Sequence, residues 1–201
     1  MLDFTLEDQL SEKGYKYICG VDEAGRGPLC GPVVAAAVIL PRDAEIPGLN
    51  DSKKLTEKKR EALFDVICEK AIAYSIAYGT VEMINQTNIL EATMAAMNQA
   101  VSSLPTPADH ALIDGNISRG FSIPTTTVIH GDAISPSIAA ASILAKVTRD
   151  RLCIELDAEY PMYGIAKHKG YGTKDHMEAL RKYGPAPIHR TKFIRFLNED
   201  K

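Results

Sequence analysis

The sequence predicts a mixed α/β fold in which helices cover a single sheet, and three observations carry that prediction. Two short apolar runs near the N-terminus are bounded by Gly and Pro, as strands are. Two more short runs in the middle of the chain each give way to an acid and a glycine. Between and after them lie longer segments whose apolar residues recur at helical spacing. With 201 residues, 45% of them hydrophobic and 24% charged, the chain suits one soluble domain that buries a core without cross-links.

Tyr17 to Val21 and Gly31 to Leu40 read as strands flanking the loop Asp22-Glu23-Ala24-Gly25-Arg26-Gly27-Pro28. Pro41 to Lys54 is a loop rich in Pro, Gly, Asn and Asp. Thr56 is an N-cap for a helix whose Leu63, Val66, Ile67 and Ala71 keep helical spacing. Ala73 to Gly79 is a third strand, and Ile89 to Val101 a helix rich in Ala and Met. The strand His110 to Ile113 ends at Asp114-Gly115, and the β-branched strand Thr125 to Ile129 ends at His130-Gly131-Asp132. Ser135-Pro136 is an N-cap and N1 pair opening a helix to about Ala158, with an apolar stripe of Ala140, Ile143, Leu144 and Val147. Thr173 to Tyr183 is a helix stopped by Gly184-Pro185, and a last helix covers Thr191 to Asn198. The expected organisation is a core over residues 1–160 and a basic helical extension, part of the same domain, over residues 161–201.

Composition narrows the function. The N-terminal MLDFTLEDQL lacks the basic-then-apolar order of a signal peptide. The longest strongly apolar run, Val33 to Leu40, is too short to span a bilayer. A cytoplasmic monomer with no membrane partner is expected. Cys19, Cys30, Cys68 and Cys153 form no C-x-x-C pair, so they read as buried thiols rather than a zinc site. Net charge is −3, yet Pro161 to Arg195 carries eight basic residues against Asp175 and Glu178, a +6 segment beside a body of −9. That asymmetry suits a protein that holds polyanions with one part and metal ions with another, although a solvated mixed-charge surface has the same composition.

The strand ends carry the chemistry. Asp22-Glu23, Asp114 and Asp132 each lie where a strand gives way to a Gly-containing loop, and sites in α/β sheets gather at such ends. Carboxylates brought together repel one another and need protons or cations to neutralise them. All-oxygen ligands point to Mg²⁺ or Mn²⁺, and two such ions roughly 3.5–4 Å apart suit phosphodiester hydrolysis. A lone Asp after a strand is more often a turn residue or cap, and for Asp114 or Asp132 alone that reading is the stronger one. Asp22-Glu23 differ because Gly25-Arg26-Gly27 follow at once. This is neither a P-loop nor a dinucleotide fingerprint. Bare backbone beside a metal site can instead hold a ribose, whose 2′-hydroxyl both donates and accepts.

These residues carry a resemblance. Gly20-Val21-Asp22-Glu23-Ala24-Gly25-Arg26-Gly27-Pro28, with Gly31 to Ala37, closely resembles ribonuclease HII, the type 2 ribonuclease H. Asn50-Asp51-Ser52-Lys53-Lys54-Leu55, Ala139 to Arg151, His168 to Thr173 and Pro187-Ile188-His189-Arg190 extend it across almost the whole chain, in family order. The resemblance implies a ribonuclease H-like five-stranded mixed sheet. It implies a Mg²⁺- or Mn²⁺-dependent endonuclease that cuts the RNA strand of RNA–DNA hybrids. It also implies incision 5′ of single ribonucleotides in duplex DNA, the start of their repair, leaving 3′-hydroxyl and 5′-phosphate ends.

By the same resemblance the metal-binding acids fall on Asp22, Glu23, Asp114 and Asp132. Gly25, Arg26 and Gly27 match a loop that senses the 2′-hydroxyl, and Tyr171 a ring that packs on the next deoxyribose. Lys53, Ser142 and Lys146 match backbone contacts near the cut. Helix geometry alone leaves Ser142, Lys146 and Arg149 facing either a groove or solvent. His130 and His189 read as turn-forming residues before they read as proton carriers. Phe193 to Leu197 invites a clamp contact but is more simply a packing face. The rivals are a ribonuclease HIII-like hybrid nuclease, disfavoured because the Asp22 loop begins so early; a non-catalytic nucleic-acid binding module, disfavoured by four intact acids; and a small-molecule phosphatase, disfavoured by the basic segment and the absence of a phosphate-cradling loop.

Overall fold

In a computed structural model, residues 2–199 are described. In chain order these are α1 (Thr5–Glu12), β1 (Ile18–Ala24), β2 (Val33–Ile39), α2 (Glu57–Lys70), β3 (Ala73–Gly79), α3 (Val81–Gln86), α4 (Ile89–Ser102), β4 (His110–Asp114), β5 (Thr125–Val128), α5 (Pro136–Glu159), α6 (Ile165–His168), α7 (Lys174–Tyr183) and α8 (Phe196–Glu199). The five strands form one mixed sheet in the order β3-β2-β1-β4-β5, with β1, β2 and β3 antiparallel and β4 and β5 running parallel to β1.

Strand alternation splits the core into two layers. Cys19, Val21, Ala35, Ala37 and Ile39 pack on one side against Ala96, Met97 and Ala100 of α4. Ala36 and Val38 pack on the other side against Ile67 of α2 and Ala140, Ile143 and Leu144 of α5. The alanines of β2 let helices approach the sheet from both faces, and each fully buried Ile or Leu above them stabilises the fold by roughly 1.5–3 kcal/mol. The closest approach is at Gly20 of β1, where a Cβ would overlap the backbone of Ser137 and Ile138 at the start of α5.

Helix ends follow local chemistry. Thr56, Thr80, Asn88, Ser135 and Thr173 each cap a helix by accepting a backbone N–H two or three residues into it. The Ser135 cap has an additional support. Glu7 of α1 is buried, and its Oε1 accepts from Ser135 Oγ at 2.6 Å and from the Ser137 amide at 3.3 Å, placing a negative charge at the positive end of α5.

Several sequence expectations need correction. β1 runs to Ala24, so Asp22 and Glu23 lie inside the strand, opposite Ala36 and Ala35 of β2, rather than in the loop after it. Over residues 136–150 α5 is buried nearly all round instead of along one stripe, and Ser142 and Arg149 are among its buried residues. α1 and α3 were not expected; both are short and polar enough to lack a clear period. The final helix covers only Phe196–Glu199, because residues 191–195 turn to bring Ile194 inward. The described residues after Pro161 form no strand, and His189 makes an isolated bridge with Cys30. It packs on the rest through a cluster of Cys30, Cys153, Tyr163, Ile165, Leu180 and Ile194, with Phe196 and Leu197 against it. Among the described residues no helix is long and apolar enough to cross a membrane.

Because the β1–α5 contact has no room for a methyl group, Gly20→Ala should destabilise the protein by roughly 2–3 kcal/mol. A lowered denaturation midpoint with an unchanged slope checks this; no change would show that α5 can slide away from β1.

Candidate active site

The parallel register of β1 and β4 pairs Val21 with Ile113. One residue further along, Asp22 and Asp114 emerge side by side at the same sheet edge. Asp132 arrives from the short turn Gly131–Ala133, between β5 and α5. That turn is fixed by His130, a non-glycine residue in the left-handed region (φ 56°), and by the Gly131 amide donating to Asp114 Oδ1 at 2.7 Å. Asp22 Oδ1 accepts from the Glu23 amide at 2.7 Å. The four acids are thus held by three different pieces of chain.

Their electrostatics are unfavourable without a counter-charge. Burial raises the Asp22 carboxyl well above its ordinary value, and the charges of Glu23, Asp114 and Asp132 push it further. Glu23 is also raised, chiefly by burial, although the Arg26 guanidinium 3.3 Å away opposes this. Asp132 is raised by burial against the pull of Lys53, whose Nζ is 3.5 Å from Oδ2. For Lys53 itself, burial lowers its value, but Asp132, Asp22 and Asp51 outweigh that and leave it raised. Asp51 aims this lysine by accepting from the Lys53 amide at 2.9 Å in a single 3₁₀ turn.

An open cleft of about 750 Å³, solvent included, lies over these groups. It is lined by Asp22, Glu23, Asp114, Gly25, Arg26, Gly27, Lys53, Ser142, Lys146 and Tyr171, with Ala24, Ser52 and Arg149. Every site residue expected from sequence except Asp132 lines it, and Asp132 sits just behind Lys53. Ser142 and Arg149 therefore face a groove, not solvent. Ser142 Oγ donates to Ser52 Oγ at 2.6 Å, and Lys146 is paired with Asp150 at 2.6 Å. Gly25 holds φ 96° where a Cβ would overlap the Arg149 side chain, and a Cβ at Gly27 would stand 3.3 Å from the Tyr171 ring. Tyr171 is 49% exposed, its ring open to the cleft.

The residues missed from sequence are those beneath the loop. Arg190 is fully buried. Its Nε donates to Gly31 O at 2.9 Å, Nη1 to Arg26 O at 2.9 Å and Pro28 O at 2.8 Å, and Nη2 to Gly25 O at 2.6 Å. One guanidinium thus fixes the carbonyls of the whole glycine-rich turn. Arg149 adds bonds to Lys169 O at 2.9 Å and Cys30 O at 3.3 Å, and its Nε has no partner. Nothing in the spacing of Arg190 marks it as internal; it was counted in the basic excess. That excess is less available than its charge suggests, because Lys167 pairs with Asp175, Lys174 with Glu178 and Lys169 with Glu57.

A mixed five-stranded sheet with acids from β1, β4 and the turn before α5 converging on one edge defines a ribonuclease H-like hydrolase. Comparison with known proteins makes the assignment specific. The chain belongs to the ribonuclease HII family, whose sequence model matches residues 19–196. It is 56% identical over 189 residues to ribonuclease HII of Acetivibrio thermocellus, covering 94% of this chain and 74% of that one. It is 51% identical to ribonuclease HII of Caldicellulosiruptor bescii, covering 96% and 93%. Among solved structures, ribonuclease H2 of Pyrococcus horikoshii is similar at a TM-score of 0.76 and 28% identity, over 92% of this chain and 98% of that one. The protein is an endoribonuclease of the ribonuclease H type.

The raised carboxyls have a thermodynamic consequence. The native state keeps protons on Asp22, Glu23 and Asp132 that the unfolded chain has already released, so between the ordinary carboxylate range and the raised values rising pH removes stability. In chelator, the denaturation midpoint should fall as pH climbs from that range toward neutrality, and Asp22→Asn should flatten the fall. A midpoint that rises with pH over the same interval would contradict the electrostatics of the site.

Proposed function

We propose that the protein is a divalent-metal-dependent nuclease that cuts the RNA strand of RNA–DNA hybrids and incises 5′ of single ribonucleotides embedded in duplex DNA. The observation that carries this reading is one cleft shared by the acids, the Gly25-Arg26-Gly27 turn and the Tyr171 ring. The donor set suits Mg²⁺ or Mn²⁺: carboxylate oxygens converge, and burial, reinforced by their mutual repulsion, raises Asp22, Glu23 and Asp132. Asp22, Glu23, Asp114 and Asp132 would hold the ions, which when bound supply Lewis-acid stabilisation of charge developing on the phosphate.

The remaining residues position the substrate. The Gly25 to Gly27 backbone, its carbonyls tied down by Arg190, leaves a bare turn against which a ribose 2′-hydroxyl can be read. Tyr171, beside Gly27, offers its ring to the sugar on the 3′ side and favours one without a 2′-hydroxyl. Lys53 stands exposed next to Asp132 and engages a backbone phosphate near the cut, as do Ser142 and Lys146 from α5. Ends of 3′-hydroxyl and 5′-phosphate follow from attack on the 5′ side of the ribonucleotide. We place this activity in a cytoplasmic monomer that starts ribonucleotide repair. A clamp contact through Phe193 to Leu197 gains no support, since Ile194 is buried and Phe193, Phe196 and Leu197 pack inward.

Incubation with Mg²⁺ or Mn²⁺ and a DNA duplex containing one ribonucleotide tests the reading, with a nick on the 5′ side of the ribose expected. An intact duplex alongside efficient cleavage of long hybrids would point to ribonuclease HIII-like behaviour. Asp22→Asn should lower cleavage by on the order of 10³-fold or more while the fold is kept, since several kcal/mol of charge stabilisation is lost; retained metal-dependent activity would refute the ligand assignment. Tyr171→Ala should impair incision at a lone ribonucleotide more than cleavage of long hybrids, and equal losses would sink its role at the junction.

A further inference from the structure

Beneath the cleft, three imidazoles are layered in the C-terminal segment. His168 stacks on His176 with ring centroids 4.4 Å apart, and His176 lies against His189 at 5.4 Å. His176 and His189 are buried, and their Nε2 atoms are 3.2 Å apart. His176 Nδ1 faces Tyr171 O at 3.0 Å, so it carries the proton and donates. In a neutral ring its Nε2 is then a lone pair, which must accept from His189 Nε2–H. That leaves His189 Nδ1 unprotonated to accept from the Ala186 amide at 3.0 Å; the opposite tautomer, donating to Ala186 O at 3.2 Å, would set two Nε2 lone pairs against each other. Burial holds both rings neutral, lowering His189 to about 4.

We infer that His176 and His189 are positioning residues for Tyr171, joined in a buried hydrogen-bond chain that runs from the Ala186 amide through both rings to the Tyr171 carbonyl. This rests on the reading above that Tyr171 packs beside a sugar. Tyr171 follows Lys169 and Gly170, both in the left-handed region (φ 53° and 82°), so the segment does not hold itself by regular structure. Lys169 O is held by Arg149 at 2.9 Å and Gly170 O by the Leu29 amide at 2.8 Å, whereas Tyr171 itself has the bonds of its amide to His168 O at 3.0 Å and of the Thr173 amide to its carbonyl at 2.8 Å. The histidine chain anchors the same carbonyl to His189, one residue before Arg190. Arg190 in turn holds the glycine turn. The two sugar-reading elements are therefore tied to adjacent residues of one buried segment, which fixes the spacing between them.

Cys30 Sγ and one ring nitrogen of each of these two histidines all lie within 4.8 Å of one another, and three such atoms suit a soft cation such as zinc. A cation on both Nε2 atoms would need Nδ1–H on both rings, and His189 Nδ1–H, although Ala186 O lies 3.2 Å away, would sit 3.0 Å from the Ala186 N–H donor. The hydrogen-bond chain satisfies the contacts without that crowding.

Imidazole ¹⁵N NMR of the full-length protein reads the tautomers directly. His176 as the Nδ1–H form and His189 as the Nε2–H form are expected; both rings as Nδ1–H, or equimolar bound zinc in the purified protein, would overturn the inference. In activity, His176→Phe should lower incision at a single ribonucleotide about tenfold relative to cleavage of a long hybrid. His176→Asn, whose amide can take the place of Nδ1–H, should recover part of that ratio. The double variant Tyr171→Ala with His176→Phe should show no further change in the ratio beyond Tyr171→Ala alone. Equal losses on both substrates with His176→Phe, or ratios that multiply in the double variant, would leave the histidines a purely structural role. If Tyr171→Ala itself cuts both substrates equally, the sugar-reading role fails, while the tautomers still decide whether the chain exists.

Discussion

Carboxylate repulsion at one edge of the sheet is the constraint around which this molecule is organised. Asp22, Glu23, Asp114 and Asp132 would separate if their backbones allowed it. They cannot, because β1 and β4 are locked in parallel register and the turn before α5 is bonded to Asp114 itself. The rigid core supplies that lock. Gly20 lets α5 sit directly on β1, and the alanines of β2 let α4 and α5 close in from both faces. Packing energy spread over dozens of apolar side chains thus holds in place an arrangement that is locally unfavourable, which is the physical ground for reading the edge as a cation site.

The second level of organisation is a buried polar scaffold under the cleft. A fully buried arginine is expensive unless its donors are used, and Arg190 places four N–H groups on the carbonyls of Gly25, Arg26, Pro28 and Gly31. Arg149 and the histidine chain extend the same logic to the segment carrying Tyr171. None of these groups need touch a substrate. Their effect is to make a glycine-rich turn, which would otherwise sample many conformations, present one surface. The C-terminal segment is therefore less a separate basic arm than a floor: its apolar residues join Cys30 and Cys153, and several of its charges are spent on internal pairs.

Much of the fold was legible in the sequence because local signals and tertiary demands agreed. Thr56 and Ser135 cap the helices they are expected to cap, and Ala73–Gly79 is the strand its pattern describes. The misses have physical causes. Asp22 and Glu23 look like loop residues because acids are rare in central strands, yet pairing with β2 carries β1 through them to Ala24. α5 looks amphipathic because Ser142 and Arg149 are polar, yet both are buried against partners distant in sequence, Ser52 and the backbone of Lys169 and Cys30. The last helix is shorter than its apolar content suggests because Ile194 turns inward to the Tyr163 and Leu180 cluster.

The sequence by itself determined the family, the Asp22-Glu23 pair and the glycine turn, because those depend on residue types at fixed short spacing, while Asp114 and Asp132 joined them through the resemblance. It also determined most helices and strands, because hydrophobic period and capping are local properties. Only the tertiary structure decided which polar residues face the cleft and which hold it together. Lys53, Arg149, His176 and Arg190 are all basic or titratable, and no spacing separates them. Lys53 stands exposed at the acids, whereas Arg149, His176 and Arg190 lie buried and donate to backbone carbonyls. The reason is that a polar side chain's role is set by what lies within hydrogen-bond reach of it, and for Arg149 and Arg190 that surface includes segments more than a hundred positions away.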